Sequence, residues 1–218
     1  MVQKISAVIF DMDGVMVDNN LYHKRAWELF VQQHGFNLPE IELKEHVYGK
    51  INRDILLYLF GEDITDADII KYANEKERFY QSIYSDYIKP TKGLIEFLNL
   101  LHSQNIPIAV ATSAPPTNVG FVLSSLGVEK YFQIIVDDTD VKKGKPDPEI
   151  YLTTAKKLNM NPSDCVVFED SLSGVQSAIN AGMKVVAITT THTKAELSNA
   201  NLVIDDFSKL DINSLINL

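Results

Sequence analysis

Ile5-Ser6-Ala7-Val8-Ile9-Phe10-Asp11-Met12-Asp13-Gly14-Val15-Met16-Val17-Asp18 is the stretch whose reading decides the fold. Ala7 to Phe10 form an apolar run without alternation, the pattern of a strand covered on both faces in a parallel sheet. Open α/β sheets bind ligands at the carboxyl ends of their strands, and Asp11 and Asp13 fall at such an end. Being two residues apart, they share a face if the extended geometry continues past Phe10, and their charges then repel. A bound cation relieves that repulsion, and Gly14 supplies the positive φ that closes the turn. Taken alone, the pair reads equally well as the start of a polar turn with solvated carboxylates, so the chemistry needs partners elsewhere in the chain.

Those partners are sought at other strand ends. After Lys89-Pro90-Thr91-Lys92-Gly93, an apolar stripe of Leu94, Phe97, Leu98 and Leu101 marks a helix. Strands are then expected over 106–112, 131–136, 165–168, 184–189 and 202–205, with helices over 118–126, 148–158 and 173–181 between them. This alternation predicts a doubly wound parallel sheet, an α/β fold with helices on both faces. The strand ending at Thr112 delivers Ser113 to a helix start, a setting suited to phosphate, although both hydroxyls also serve as ordinary helix caps. The turn Lys142-Lys143-Gly144-Lys145-Pro146-Asp147-Pro148 has the look of a solvated loop, except that the two prolines fix where the Lys145 stem emerges. A positioned ammonium neutralises a phosphoryl oxygen and a neighbouring carboxylate together. The run Cys165-Val166-Val167-Phe168 ends in Glu169-Asp170-Ser171, a second pair of acids on the same sheet edge. Together the two pairs offer the hard oxygen ligands that Mg²⁺ prefers.

Between the first strand and Tyr87 the pattern is helical: Leu21, Trp27, Phe30 and Val31, then Ile55, Leu56, Leu59 and Phe60, with breaks at Gly35, Pro39, Gly49 and Gly61. It reads as a small helical module of about 70 residues inserted into the sheet domain, its aromatics forming its own core. The chain has 218 residues, 45% hydrophobic and 22% charged, which suits a globular protein of one domain carrying an insertion, or of two small domains. A net charge of -9 argues against a nucleic-acid or anionic-membrane surface, and no apolar stretch approaches the roughly 20 residues that span a bilayer. The single cysteine, Cys165, precludes a disulfide framework and reads as core packing. A cytoplasmic monomer without a leader segment is the expectation.

With these residues in place, the chain resembles the haloacid dehalogenase superfamily, in the subgroup with a small helical cap that includes β-phosphoglucomutase and many sugar phosphatases. The resemblance covers essentially the whole chain. It is carried by Phe10-Asp11-Met12-Asp13-Gly14, Ala111-Thr112-Ser113, Gly144-Lys145-Pro146-Asp147-Pro148 and Glu169-Asp170-Ser171-Leu172-Ser173-Gly174, continuing to Ala181-Gly182-Met183. It implies a Rossmann-like core of residues 1–17 and 89–218 and a cap of residues 18–88. It implies that Asp11 is the nucleophile and Asp13 the general acid, and that Ser113 and Lys145 hold the transferring group. It further implies Mg²⁺ on Asp11, Asp13 through its backbone carbonyl, and Asp170, with Glu169 in or next to the shell. Thr112, Ala114 and Asn118 in the core, and His23, Arg53 and Lys76 in the cap, are the candidate substrate contacts; His23 and Lys76 have as their bland alternative a surface residue and a solvated helix charge. Arg53 sits one place beyond the arginine of the mutase, Asn19 replaces the usual Ser or Thr, and Pro115-Pro116 replaces a more polar run.

The implied function is a Mg²⁺-dependent phosphatase of a small phosphorylated metabolite, a sugar phosphate foremost. A β-phosphoglucomutase and an inorganic pyrophosphatase are the alternatives on the same fold. A receiver-type signalling module also phosphorylates an aspartate, but the long insertion suits substrate covering and Asp13 supplies a hydrolysing acid that a lasting phospho-signal does not need. Dehalogenation needs neither Asp13 nor a metal.

Overall fold

The computed structural model describes residues 5–48, 50–216 and 218, so the expected break at Gly49 and the first four residues of the core segment lie outside the described residues. Six parallel strands form one sheet: β1 (Ala7–Phe10), β2 (Ile108–Ala111), β3 (Ile134–Val136), β4 (Cys165–Glu169), β5 (Lys184–Ile188) and β6 (Leu202–Ile204), in the order β3-β2-β1-β4-β5-β6. β1 lies at the centre, with Ile9 level with Ala109 on one side and Val167 on the other. All four of its residues are buried, which is why the run lacks polar alternation.

The two faces of the sheet have different cores. Ala7 and Ile9, with Val167 and Val185, pack against Ile150, Tyr151 and Ala155 of α7 (Glu149–Leu158) and Val175 and Ala178 of α8 (Leu172–Asn180). On the other face Phe10 stacks on Phe168 with centroids 4.9 Å apart, and both meet Phe207 and Phe97 of α5 (Leu94–Ser103). A large aromatic in such a core contributes about 3–5 kcal/mol, so this phenylalanine cluster helps to hold β1 and β4 side by side where their carboxyl ends carry the acids.

Several boundaries differ from the sequence reading. The expected strand over 131–136 is only Ile134–Val136, because Glu129–Tyr131 coil into a short 3-10 turn. β3 is an edge strand paired with β2 alone, and short edges expose few unpaired backbone groups. The helix expected from residue 118 starts earlier, as α6 (Pro116–Leu126): Pro115 is the extended N-cap, and Pro116 fits the first turn because no N–H is needed there.

Of the described residues, those up to Asp18 and from Ile88 onward make one compact unit, and Asn19–Tyr87 make another. The second unit contains α1 (Asn20–Gln33), a short α2 (Glu40–Glu42) running into a π turn (Leu43–Val47), α3 (Asn52–Phe60) and α4 (Asp66–Tyr84). Its core is Trp27, Phe30, Val31, Leu43, Val47, Ile55, Leu56, Leu59 and Ile69. Leu21 was expected on the stripe of Trp27 and Phe30 but is 62% exposed: six residues before Trp27, it lies about 120° off that face at 100° per residue. α4 is started by Thr65, whose hydroxyl accepts the Asp68 N–H at 3.1 Å, with Asp66 and Asp68 favourably placed at the positive end of the helix. Among the described residues no helix is long and apolar enough to cross a membrane.

Candidate active site

The strand order itself creates the crevice. From β1 the chain runs to β2 and β3 on one side, then to β4, β5 and β6 on the other, so the direction of winding reverses between β1 and β4. Asp11 follows β1 and Asp170 follows β4 at that reversal, and the Asp11 N–H donates to the Phe168 carbonyl at 2.9 Å. The tie fixes the start of the turn against the neighbouring strand.

Beyond Asp11 the backbone leaves the extended form. The Gly14 N–H donates to the Val17 carbonyl at 2.7 Å and the Met16 N–H to the Met12 carbonyl at 2.8 Å, so residues 12–17 fold into a tight turn. Gly14 has φ +78°, and a Cβ there would overlap the Asp170 carboxylate, so glycine is required on both counts. The turn also separates the first two acids. Asp11, Glu169 and Asp170 bring carboxylate oxygens within 4.8 Å of one another, while the half-buried Asp13 carboxylate is not among that group.

Lys145 closes the cluster. Its side chain is 8% exposed, and its ammonium donates to Asp11 Oδ1 at 2.5 Å and to Glu169 Oε1 at 2.6 Å, with the Ala111 carbonyl at 3.5 Å. The lysine loop runs through a cis Lys145–Pro146 bond and leads into α7. Glu169 is saturated: Oε1 accepts from Lys145 and from the Tyr151 hydroxyl at 2.7 Å, and Oε2 from the Asp170 N–H, the Ser171 N–H and the Ser171 hydroxyl at 3.0, 3.1 and 3.0 Å. Asp170 accepts from the Thr191 hydroxyl, and the neighbouring Thr190 hydroxyl donates to the Gly14 carbonyl at 2.5 Å.

Three buried carboxylates therefore face one buried ammonium. Burial raises Asp11 well above the usual carboxylate range; Lys145 opposes the shift, and Glu169 and Asp170 add to it. Asp170 is pushed up to about 7 by burial and by the Glu169 charge. Burial would lower Lys145, but Asp11 and Glu169 outweigh it and hold the ammonium well above its ordinary value. Burial would likewise raise Glu169, yet Lys145 and the hydrogen bonds from Lys145, Tyr151 and Ser171 hold it low. An acid cluster this starved of positive charge, made of hard oxygens, fits a divalent cation.

The remaining core candidates cluster after β2. Ser113 is exposed, and Thr112 is buried with its hydroxyl accepting the Ala114 N–H at 3.1 Å, which shapes the loop. Asn118 is buried in the first turn of α6. Within the helical unit, Lys76 is not a solvated helix charge: it is buried, paired with Glu77 at 3.0 and 3.2 Å, and 2.9 Å from His23 Nδ1. His23 stacks on Tyr80 with centroids 3.9 Å apart, and the Asn19 amide donates to the Tyr80 hydroxyl at 2.7 Å. Arg53 stands outside this group, exposed and paired with Asp66 at 2.8 Å.

Sequence reasoning missed Tyr151, Ser171, Thr190 and Thr191. Thr191 was within reach of the strand-end rule, since Thr189-Thr190-Thr191 follow β5 as Ser113 follows β2. Tyr151 carried no such signal, because on α7 it reads as one more apolar position.

Comparison with known proteins agrees with this geometry. Residues 8–188 match the haloacid dehalogenase-like hydrolases. Over 183 residues the chain is 37% identical to the phosphorylated carbohydrates phosphatase of Thermotoga maritima, with 83% of each chain covered. Over 219 residues it is 32% identical to the β-phosphoglucomutase of Bacillus subtilis, covering 97% of this chain and 94% of that one. The crystal structure of a haloacid dehalogenase family IA hydrolase from Entamoeba histolytica superposes with a TM-score of 0.88 at 34% identity, covering 97% of this chain and 98% of that one. Some relatives are longer: the chain spans 57% of the length of a chloroplast phosphatase of Arabidopsis thaliana that it matches. The acids after β1 and β4, the lysine between them and these likenesses along the whole sheet lead to one conclusion: the chain belongs to the haloacid dehalogenase-like hydrolase family, as an enzyme of the phosphoric monoester hydrolase type.

Proposed function

We propose that the protein is a Mg²⁺-dependent phosphatase of small phosphorylated metabolites, a sugar phosphate foremost, working through a phosphoryl group carried on Asp11. The observation that carries this reading is the buried Asp11 carboxylate at the sheet edge, with the Lys145 ammonium 2.5 Å from one oxygen and Asp170 in the same cluster. In the first half-reaction an Asp11 oxygen attacks phosphorus, the ester P–O bond breaks, and Asp13 gives its proton to the leaving oxygen. In the second, Asp13 takes a proton from water, the water oxygen attacks phosphorus, and the bond to Asp11 breaks to release phosphate. Lys145 and the Ser113 hydroxyl hold the transferring group, with Thr112 and Ala114 shaping its loop. Charge on the phosphoryl oxygens is offset by Mg²⁺ when it is bound, with Asp11, Asp170 and the Asp13 carbonyl as ligands. Glu169 is assigned to the next layer, because each of its oxygens already accepts two or more hydrogen bonds. His23, Arg53, Lys76 and Asn118 are the proposed contacts to the rest of the substrate, and a cytoplasmic monomer is the proposed working form.

The test is phosphate release over a panel of phosphorylated metabolites, with Mg²⁺ and with chelator. Turnover of one or more sugar phosphates that vanishes in chelator is expected, and Asp170→Ala should lose both metal affinity and rate. Full activity in chelator would remove the metal from the mechanism. The likeness to β-phosphoglucomutase over nearly the whole chain supports a second reading, transfer of the phosphoryl group back to a sugar hydroxyl. A coupled assay reading glucose 6-phosphate beside free phosphate, with β-glucose 1-phosphate as substrate and glucose 1,6-bisphosphate as primer, separates the two. Isomerisation outrunning phosphate release by about a hundredfold, near 2.7 kcal/mol of barrier, would favour the mutase.

The Asp170 carboxyl makes metal uptake pH-dependent. Its value of about 7, against an ordinary 3.8, means that the folded metal-free protein holds a proton that the unfolded chain has lost between about pH 4 and 7. That contribution to metal-free stability is full below the unfolded value and disappears as pH rises through 7. Mg²⁺ must displace the same proton, so affinity should rise by at least about tenfold per pH unit below 7, and a proton displaced from Asp11 adds to the slope. Calorimetric titrations at pH 6 and 7 in two buffers of different ionisation heat count the proton released; equal affinity at both pH values and no proton release would show that Asp170 is already ionised.

A further inference from the structure

Tyr151 is fully buried on α7, and the mechanism above gives it no part. Its hydroxyl donates to Glu169 Oε1 at 2.7 Å, the same oxygen that accepts from Lys145 at 2.6 Å, and its ring centroid lies 5.1 Å from the Lys145 ammonium. Lys145 at the same time reaches Asp11 at 2.5 Å. A lysine ammonium is a compact charge on a flexible stem with three rotatable donors, so the side chain does not itself determine which carboxylate it favours. Glu169 is the stronger competitor. It is buried, it is held ionised, and its Oε2 is pinned by the Asp170 and Ser171 N–H groups and the Ser171 hydroxyl. Gly174 lies close against it, since a Cβ there would overlap the Glu169 carboxylate. Donation from Tyr151 takes up part of the charge on Oε1 and leaves the ammonium shared with Asp11, while the ring flanks the ammonium it would otherwise release.

We propose that Tyr151 is a positioning residue: by donating to Glu169 Oε1 and lining Lys145 with its ring, it keeps the ammonium on Asp11 and on the group transferred to Asp11. This rests on the roles assigned to Asp11 and Lys145. Tyr151→Phe deletes the hydroxyl and keeps the ring. With p-nitrophenyl phosphate, kcat should fall about tenfold or more while KM changes less than about twofold, because only the arrangement reached during transfer is lost. Affinity for orthovanadate, measured by calorimetry, should fall by a similar factor. In a Lys145→Met background the same change should cost less than about twofold in orthovanadate affinity, since a residue acting through Lys145 has nothing left to position. An equal loss in both backgrounds, an unchanged kcat, or a Tyr151→Phe protein that does not fold would each overturn the proposal, the last by assigning the hydroxyl to stability alone. Absence of turnover with every monoester would sink the phosphatase reading instead, and the orthovanadate comparison would still decide the case of Tyr151.

Discussion

Asp11→Asn is expected to remove turnover by at least about 10⁴-fold while the fold survives. The substitution keeps the shape of the side chain and withdraws the one nucleophile that the covalent route requires. It also tests the charge argument. Burial, with Glu169 and Asp170 adding to it, raises Asp11 well above the ordinary carboxylate range, so an ionised Asp11 is a cost to the metal-free fold at neutral pH and its contribution is lost as pH rises. A neutral amide removes that cost along with the Lys145 pair. The metal-free variant should therefore melt no lower than the parent, and Mg²⁺ should raise its melting temperature less. Single turnover of the parent in ¹⁸O-labelled water should put label into phosphate and none into Asp11, because water attacks phosphorus and leaves the carboxyl carbon untouched. Activity above about one per cent in Asp11→Asn, or label in Asp11, would end the covalent proposal.

Asp13→Asn is expected to slow turnover by about 10²–10⁴-fold, with the loss divided unequally between the two half-reactions. Protonation of the departing oxygen matters most for a sugar alkoxide and least for p-nitrophenolate, which leaves readily without a proton. Activation of water in the second half is the same for every substrate. With p-nitrophenyl phosphate the variant should then release one equivalent of nitrophenolate in a burst and stall as the phosphorylated enzyme. With a sugar phosphate both halves should be slow and no burst should form. Rapid-mixing absorbance and intact mass detect the burst and the added phosphoryl group. Equal slowing with both substrates and no phosphoenzyme would take the proton transfer away from Asp13. The Asp13 carboxylate is half-buried and lies outside the group formed by Asp11, Glu169 and Asp170, a setting suited to exchanging protons with substrate and water.

The elements that carry the chemistry were legible because each is a local pattern. The unbroken apolar runs Ala7–Phe10 and Cys165–Phe168 announce buried parallel strands, and the acids that follow them fall at the sheet edge whatever lies between. The helical insertion was equally visible from its periodicity, and its polar residues were harder to read. Lys76 and Glu77 lie on the buried stripe of α4 with Ile69, Tyr80 and Tyr84, and a Lys-Glu pair on a helix looks the same in sequence whether solvent or side chains surround it. Arg53 differs from Lys76 in its setting: it is exposed and paired with Asp66, which its sequence neighbourhood does not reveal either.

Sequence alone determined the α/β class and the insertion after the first strand, and it singled out Asp11, Asp13, Ser113, Lys145, Glu169 and Asp170 as candidates, because strand ends and helix periods are set by residues close together in the chain. Only the tertiary structure decided the setting of each of those residues. Glu169 is filled by Lys145, Tyr151 and the Ser171 turn, Asp170 is held by Thr191, and the half-buried Asp13 carboxylate lies outside the three-acid group while its charge still acts on Asp170. Each of these depends on partners brought from distant segments, and on burial that leaves three carboxylates with one ammonium, which pairs with Asp11 and Glu169. Burial and the hydrogen-bond partners of a carboxylate are properties of the packed chain, and in a low-dielectric interior they decide which acid stays ionised and which one awaits a cation.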